Sequence, residues 1–132
     1  MERTVYHLVL DEIDKAWEQV EKNTLKAEGS LECLRHTYAP TKSSGKYGQV
    51  RFKGIKYYCH VIAAIKNTNR VATPGEEASH LCGNAWCVNP KHLTFETGEL
   101  NKSRYACHLL WGVFPQFVCV HEPKCLVERM KK

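Results

Sequence analysis

Cysteine and histidine recur at short intervals in two places along this chain of 132 residues, as Cys82-x4-Cys87-x4-His92 and as Cys119-x-His121-x3-Cys125. Thiolate sulfur and imidazole nitrogen are the donors that a tetrahedral zinc ion favours, and it needs four of them. Spacings this short gather two or three donors by ordering only a small loop. Seven cysteines occur in all, an odd number that argues against a framework held purely by disulfides. Each set still lacks a fourth donor. Cys33 and Cys59 compete for the first set, and Cys107 and His108 for the second. A different chemistry lies between the sets. His80 stands two residues before the first zinc loop, and Asn101 stands nine residues after its last ligand. A neutral imidazole, with a reference pKa of about 6.5, suits a general base near pH 7. A carboxamide oxygen suits a hard cation such as Mg²⁺, which keeps positions open for water and phosphate oxygens. Activated water and neutralised phosphate charge are what phosphodiester hydrolysis requires.

These groups need elements to hold them. Ala78 to Leu81 reads as a short strand carrying His80, Leu93 to Thr97 as a second strand, and Gly98 to Tyr105 as a helix that brings Asn101 back. That strand–loop–strand–helix unit can set an imidazole and a carboxamide on opposite sides of one cleft. Upstream, Tyr47 to Phe52 and Ile55 to His60 read as strands around a Lys53-Gly54 turn. Gln49 and Arg51 share one face of this hairpin, and Val50 and Phe52 the other. Val61 to Asn67 reads as a short buried helix. Tyr6, Val9, Leu10, Ile13, Trp17 and Val20 mark one amphipathic helix over residues 4–23, and residues 24–45 are rich in turn formers. Cys59 reads as a buried filler, His36 and His60 as surface or packing residues, and Trp86 and Trp111 as packing residues.

Hydrophobic residues make up 43% and charged residues 25%, as in a globular domain rather than a disordered chain. No run of about 18 apolar residues exists to span a bilayer. The first residues lack the apolar core of a signal peptide, so a reducing, intracellular compartment is expected, nuclear in a eukaryotic cell. The net charge of +5 is unevenly spread. Residues 1–32 carry eight acids against four bases, whereas residues 33–75 carry eight bases and no acid. An acid-free stretch on a hairpin is the footprint of a polyanion site, and a two-stranded ribbon fits the major groove of DNA. Lys46, Gln49, Arg51, Lys53 and Lys56 are the candidate DNA contacts.

The segment Ser79-His80-Leu81-Cys82-x4-Cys87-x-Asn89-Pro90-x-His92-Leu93, followed by Glu99-Leu100-Asn101-Lys102-Ser103-Arg104, resembles the ββα-metal nucleases (His-Me finger, HNH-like). It is most similar to the zinc-bound His-Cys box homing endonucleases, and Cys107, Cys119, His121 and Cys125 extend the match. The resemblance implies an α+β fold: a small zinc-stabilised ββα-metal domain behind an antiparallel DNA-reading hairpin and an N-terminal helix. One domain is expected over residues 1–132, with the helix in 1–30, the basic hairpin in 31–70, the catalytic motif in 78–105 and the second zinc cluster in 106–132. The same resemblance implies roles. His80 matches the general base and Asn101 the anchor of a catalytic Mg²⁺. Cys33, Cys82, Cys87 and His92 match one structural zinc site, and Cys107, Cys119, His121 and Cys125 a second. Arg51 matches loosely an arginine near the scissile phosphate. The implied activity is site-specific, Mg²⁺-dependent cleavage of double-stranded DNA, with room for a homodimer. The competing reading is a zinc-stabilised DNA-binding module that does not cut. Many HNH enzymes place an acid immediately before the base histidine, and this chain has Ser79 there.

Overall fold

The computed structural model describes residues 4–27, 32–37, 48–114, 116 and 118–126. Two short helices open the chain, α1 (Val5–Asp11) and α2 (Ile13–Glu21). The apolar spacing predicts one helix here, but Glu12 leaves helical geometry at φ −130°, ψ 45°. No proline or glycine causes the break. Tertiary contacts accompany it: the Glu12 carboxylate pairs with Lys53 on a distant turn, and the Tyr57 hydroxyl donates to the Val5 carbonyl at 2.9 Å. Thr4 caps α1 by accepting from the Tyr6 N–H, and the His7 side chain accepts from the Thr4 N–H.

Two hairpins follow. The first pairs β1 (Thr24–Lys26) with β2 (Leu34–His36), strands that the turn-rich composition of this stretch conceals. The second pairs β3 (Gln49–Phe52) with β4 (Ile55–Tyr58). Its turn is Lys53-Gly54, with φ of 50° and 81° at the two positions, the mirror-image turn geometry that suits the twist of a hairpin. Val50, Phe52 and Tyr57 are buried, and Arg51 and Lys56 face out as a cross-strand pair.

Helix α3 (Cys59–Thr68) starts directly where β4 ends, so Cys59 and His60 belong to a helix and not to the strand expected of them. Asn69 closes it in the left-handed conformation at φ 54°, which asparagine tolerates better than most residues. Its Ile62 and Ile65 are fully buried and pack with Val9, Trp17 and Val20 of the first helices and with Leu93 and Phe95 of a third hairpin. That hairpin pairs β5 (Glu76–His80) with β6 (Leu93–Thr97). Helix α4 (Gly98–Val113) follows β6 without a loop, capped by the Thr97 hydroxyl, and runs eight residues past the expected end at Tyr105. Alternation divides the third hairpin. Ala78, Leu93 and Phe95 face the core built on α3, whereas Ser79 and Glu96 contact α4 residues. The fold is therefore α+β, with small antiparallel pairs and a ββα unit. Among the described residues no helix is long and apolar enough to cross a membrane.

Candidate functional site

The first Cys/His set is built on the loop between β5 and β6. Gly83 takes φ 76° to turn the chain after Cys82, and Asn89 caps a 3-10 turn over Pro90–His92. Cys33 reaches this loop because β2 docks on it. Arg35 bridges to Cys87, and the Val88 N–H donates to the Leu34 carbonyl at 2.8 Å. Ligand atoms of Cys33, Cys82, Cys87 and His92 all lie within 4.8 Å of one another, and all four residues are buried. The His92 Nδ1 sits 3.5 Å from the Cys33 sulfur and 3.4 Å from that of Cys87. A tetrahedral zinc with bonds of about 2.3 Å to sulfur and about 2.0 Å to nitrogen sets a sulfur–nitrogen edge of about 3.5 Å. Cys59, the competitor for the fourth place, lies buried at the head of α3 and in neither cluster. Burial pushes its thiol up to about 12.

The second set joins Cys107 on α4 to Cys119, His121 and Cys125. His121 Nδ1 lies 3.2 Å from the sulfurs of Cys107 and Cys119 and 3.6 Å from that of Cys125. Its other nitrogen, Nε2, is 2.7 Å from the Ser103 hydroxyl one turn before Cys107. A hydrogen bond to the far nitrogen fixes the ring so that Nδ1 faces the three sulfurs. His108 is engaged elsewhere, with its ring nitrogens 2.9 Å from the carbonyls of Arg104 and Leu126. The four-donor sets are thus completed by Cys33 and by Cys107. Both Cys3His sets are compatible with structural zinc.

The thiols also carry the electrostatics of such sites. A hydrogen bond from Cys82 and one from His92 outweigh burial and hold Cys87 down to about 4. Burial works to raise Cys119, but the Cys125 and His121 backbone N–H groups hold it down to about 6. Burial pushes Cys33 up to about 11 and Cys107 up to about 12. Crowded thiols cannot all lose their protons unaided, and a divalent metal replaces those protons.

Between the sets, His80 and Asn101 line one cavity of about 250 Å³, together with Ala78, Gly83, Ala85 and Tyr105. β5 sits at an edge of its two-stranded sheet, and this cavity runs past it. The His80 Nε2 lies 2.9 Å from the Cys87 carbonyl. A carbonyl oxygen only accepts, so Nε2 carries the proton and the lone pair of the neutral ring is on Nδ1. Burial holds His80 below the usual histidine pKa, against the opposing pull of that carbonyl. The ring stacks on His60 at 5.3 Å between centroids, with 27° between planes. Burial brings His60 down to about 3, so His60 presents a neutral ring. The Asn101 oxygen accepts from the Ser79 hydroxyl at 2.7 Å, and its nitrogen donates to Glu77. A buried pair, Glu96 with Arg104, anchors α4 to β6, and Arg104 also donates to the Pro123 carbonyl. One guanidinium thereby ties the ββα unit to the loop of the second Cys/His set.

The family described as the zinc-binding loop region of homing endonuclease matches residues 17–132. The chain belongs to that family. Membership carries DNA binding and DNA cleavage as the family's general activity. No curated protein matches the chain in sequence. The match spans both Cys/His sets, His80 and Asn101.

Other expected residues are placed differently. Arg51 is exposed and donates to the Gly54 carbonyl at 3.1 Å, at the hairpin turn and not in the cavity of His80 and Asn101. Gln49 and Lys56 share its wet face, while Lys53 turns to Glu12. Lys46 lies outside the described residues. Sequence reading passed over Glu77, whose only signal is its alternation with Ser79, and His60, whose contact with His80 depends on how α3 packs.

Proposed function

We propose that the protein is a Mg²⁺-dependent, site-specific DNA endonuclease that hydrolyses phosphodiester bonds. His80 is the general base and Asn101 the anchor of one divalent ion. The observation that supports this reading is the shared cavity: His80 and Asn101 line one space of about 250 Å³ beside β5. Nδ1 of His80 takes the proton of the attacking water, since Nε2 is committed to the Cys87 carbonyl. That same bond stops the ring from turning away. The Asn101 carboxamide oxygen, which accepts from the Ser79 hydroxyl in this structure, is the hard donor offered to the cation. When bound, the cation supplies charge neutralisation to the phosphate and the departing oxygen. Arg51, Gln49 and Lys56 contact the DNA backbone and bases, with Lys46 and Lys53 adding charge around them. The zincs are structural, because each set offers four protein donors and so fills a tetrahedral ion.

The test is conversion of supercoiled plasmid to nicked or linear DNA with Mg²⁺ and its loss with a chelator of Mg²⁺. Sequencing the ends produced from a randomised DNA pool then reads out specificity. Salt-dependent DNA binding with no cut in any sequence of that pool would replace this reading by a non-cleaving DNA-binding module.

A further inference from the structure

One carboxylate stands beside Asn101 without a part in the scheme above. Alternation along β5 places Glu77 on the same face as Ser79, two residues further from the base histidine, toward α4. Its Oε1 accepts from Asn101 Nδ2 at 2.5 Å, and its Oε2 has no hydrogen-bond partner among the described residues. Glu77 and Asn101 together line a cavity of about 380 Å³, which shares Ala78 and Asn101 with the one that holds His80.

Ser79 makes the arrangement reversible. Its single hydroxyl proton has two acceptors in reach, the Asn101 oxygen and the buried Glu96 carboxylate. With the proton on the Asn101 side, the amide nitrogen faces Glu77, as observed. With the proton on the Glu96 side, the Ser79 oxygen can accept from the amide nitrogen, and the amide oxygen then faces Glu77. Two electron-rich oxygens repel each other, and a cation between them turns that repulsion into attraction. Both are hard donors of the kind Mg²⁺ selects, and the carboxylate adds the charge that a lone carboxamide lacks.

We propose that Glu77 is a second oxygen donor at the cation site, brought into use by a half-turn of the Asn101 carboxamide. This rests on the reading of Asn101 as the cation anchor. The test titrates zinc-loaded protein with Mn²⁺ in the absence of DNA, following free Mn²⁺ by electron paramagnetic resonance. Glu77→Gln keeps an acceptor for the Asn101 amide and removes the charge. Glu77 is exposed, so the variant folds, and retention of both zincs checks that it has. Its Mn²⁺ affinity is expected to fall at least about tenfold. The Mg²⁺ concentration for half-maximal nicking should rise by a similar factor, with the rate recovered at saturating Mg²⁺. Equal Mn²⁺ affinity in variant and wild type overturns the proposal, as does wild-type protein that takes up no Mn²⁺ without DNA. The Mn²⁺ measurement needs no cleavage, so a protein that binds Mn²⁺ through Glu77 yet never nicks DNA counts against the endonuclease reading alone.

Discussion

A histidine becomes a usable base only when something decides which nitrogen holds its proton. For His80 the Cys87 carbonyl makes that choice, and Cys87 is itself in the first Cys/His set. The first Cys/His loop therefore fixes the His80 ring through one backbone oxygen. This predicts that His80→Ala lowers nicking about 10²–10⁴-fold while zinc content and DNA affinity stay at wild-type values. Plasmid nicking, metal analysis and a binding titration on the same preparation check it, and wild-type cutting by the variant would remove His80 from the role. Cys82, Cys87 and His92 were legible from spacing because they share one short loop, and His80 and Asn101 were legible as candidates through the family pattern around them. Glu77 and His60 were not, because their partners come from α4 and from β5, more than 15 residues away.

At the scale of elements, what matters is how the hairpins are held against the helices. The β3–β4 hairpin enters through Gly48, whose carbonyl accepts from the Cys59 N–H at 3.0 Å. A Cβ at Gly48 would stand 2.7 Å from the ring of buried His36, so the ring or the strand would have to move. Gly48→Ala is expected to destabilise the zinc-loaded protein by about 1–3 kcal/mol, the usual cost of overpacking, as read from denaturant unfolding. The start of β5 is held by a bidentate pair, Arg70 with Glu76, at 2.7 and 3.1 Å. The Arg70 guanidinium beside Glu76, aided by the Thr73 N–H, brings that carboxyl down to about 2 from an ordinary 4.5. A carboxyl depressed by folding stabilises the native state above its ordinary pKa, and this contribution fades as pH falls toward 2. The melting temperatures of wild type and Glu76→Gln should therefore differ at pH 5 and converge as pH approaches 2. A gap that persists to pH 2 would assign the pair no such role. Sequence periodicity located β3, β4 and α3 to within a few residues. It missed the break at Glu12, which no local breaker marks, and the extension of α4 to Val113.

For the whole molecule, the acid-free stretch of residues 33–75 is less bare in the fold than in the sequence. Glu12 pairs with Lys53, Asp14 with Lys66 and Glu76 with Arg70, so acids from outside the stretch neutralise part of it. Arg51 and Lys56 have no carboxylate partner among the described residues, and they form one cross-strand pair. If that face meets DNA, Lys56→Ala should lower the slope of log affinity against log salt by about 0.9, one phosphate contact. Lys53→Ala should change it less, because that charge is already engaged. Equal slopes for wild type and Lys56→Ala would move the DNA to another surface.

What the sequence alone determined is the set of chemical parts: two groups of candidate metal donors, a histidine and a carboxamide between them, and the family pattern they share. Donor type and local spacing are properties of a short segment, and a segment carries them wherever it folds. Spacing left the fourth donor of each group open, the family resemblance implied Cys33 and Cys107, and the tertiary structure brings those two to the sets. Cys33 was chosen over Cys59 because β2 bridges to the Cys87 loop, and Cys107 over His108 because the His108 nitrogens face carbonyls. It also decided which cations of the acid-free stretch gain a carboxylate partner and which acid stands beside Asn101. These are outcomes of packing, in which residues far apart in the chain compete for one place, and no local pattern records which of them prevails.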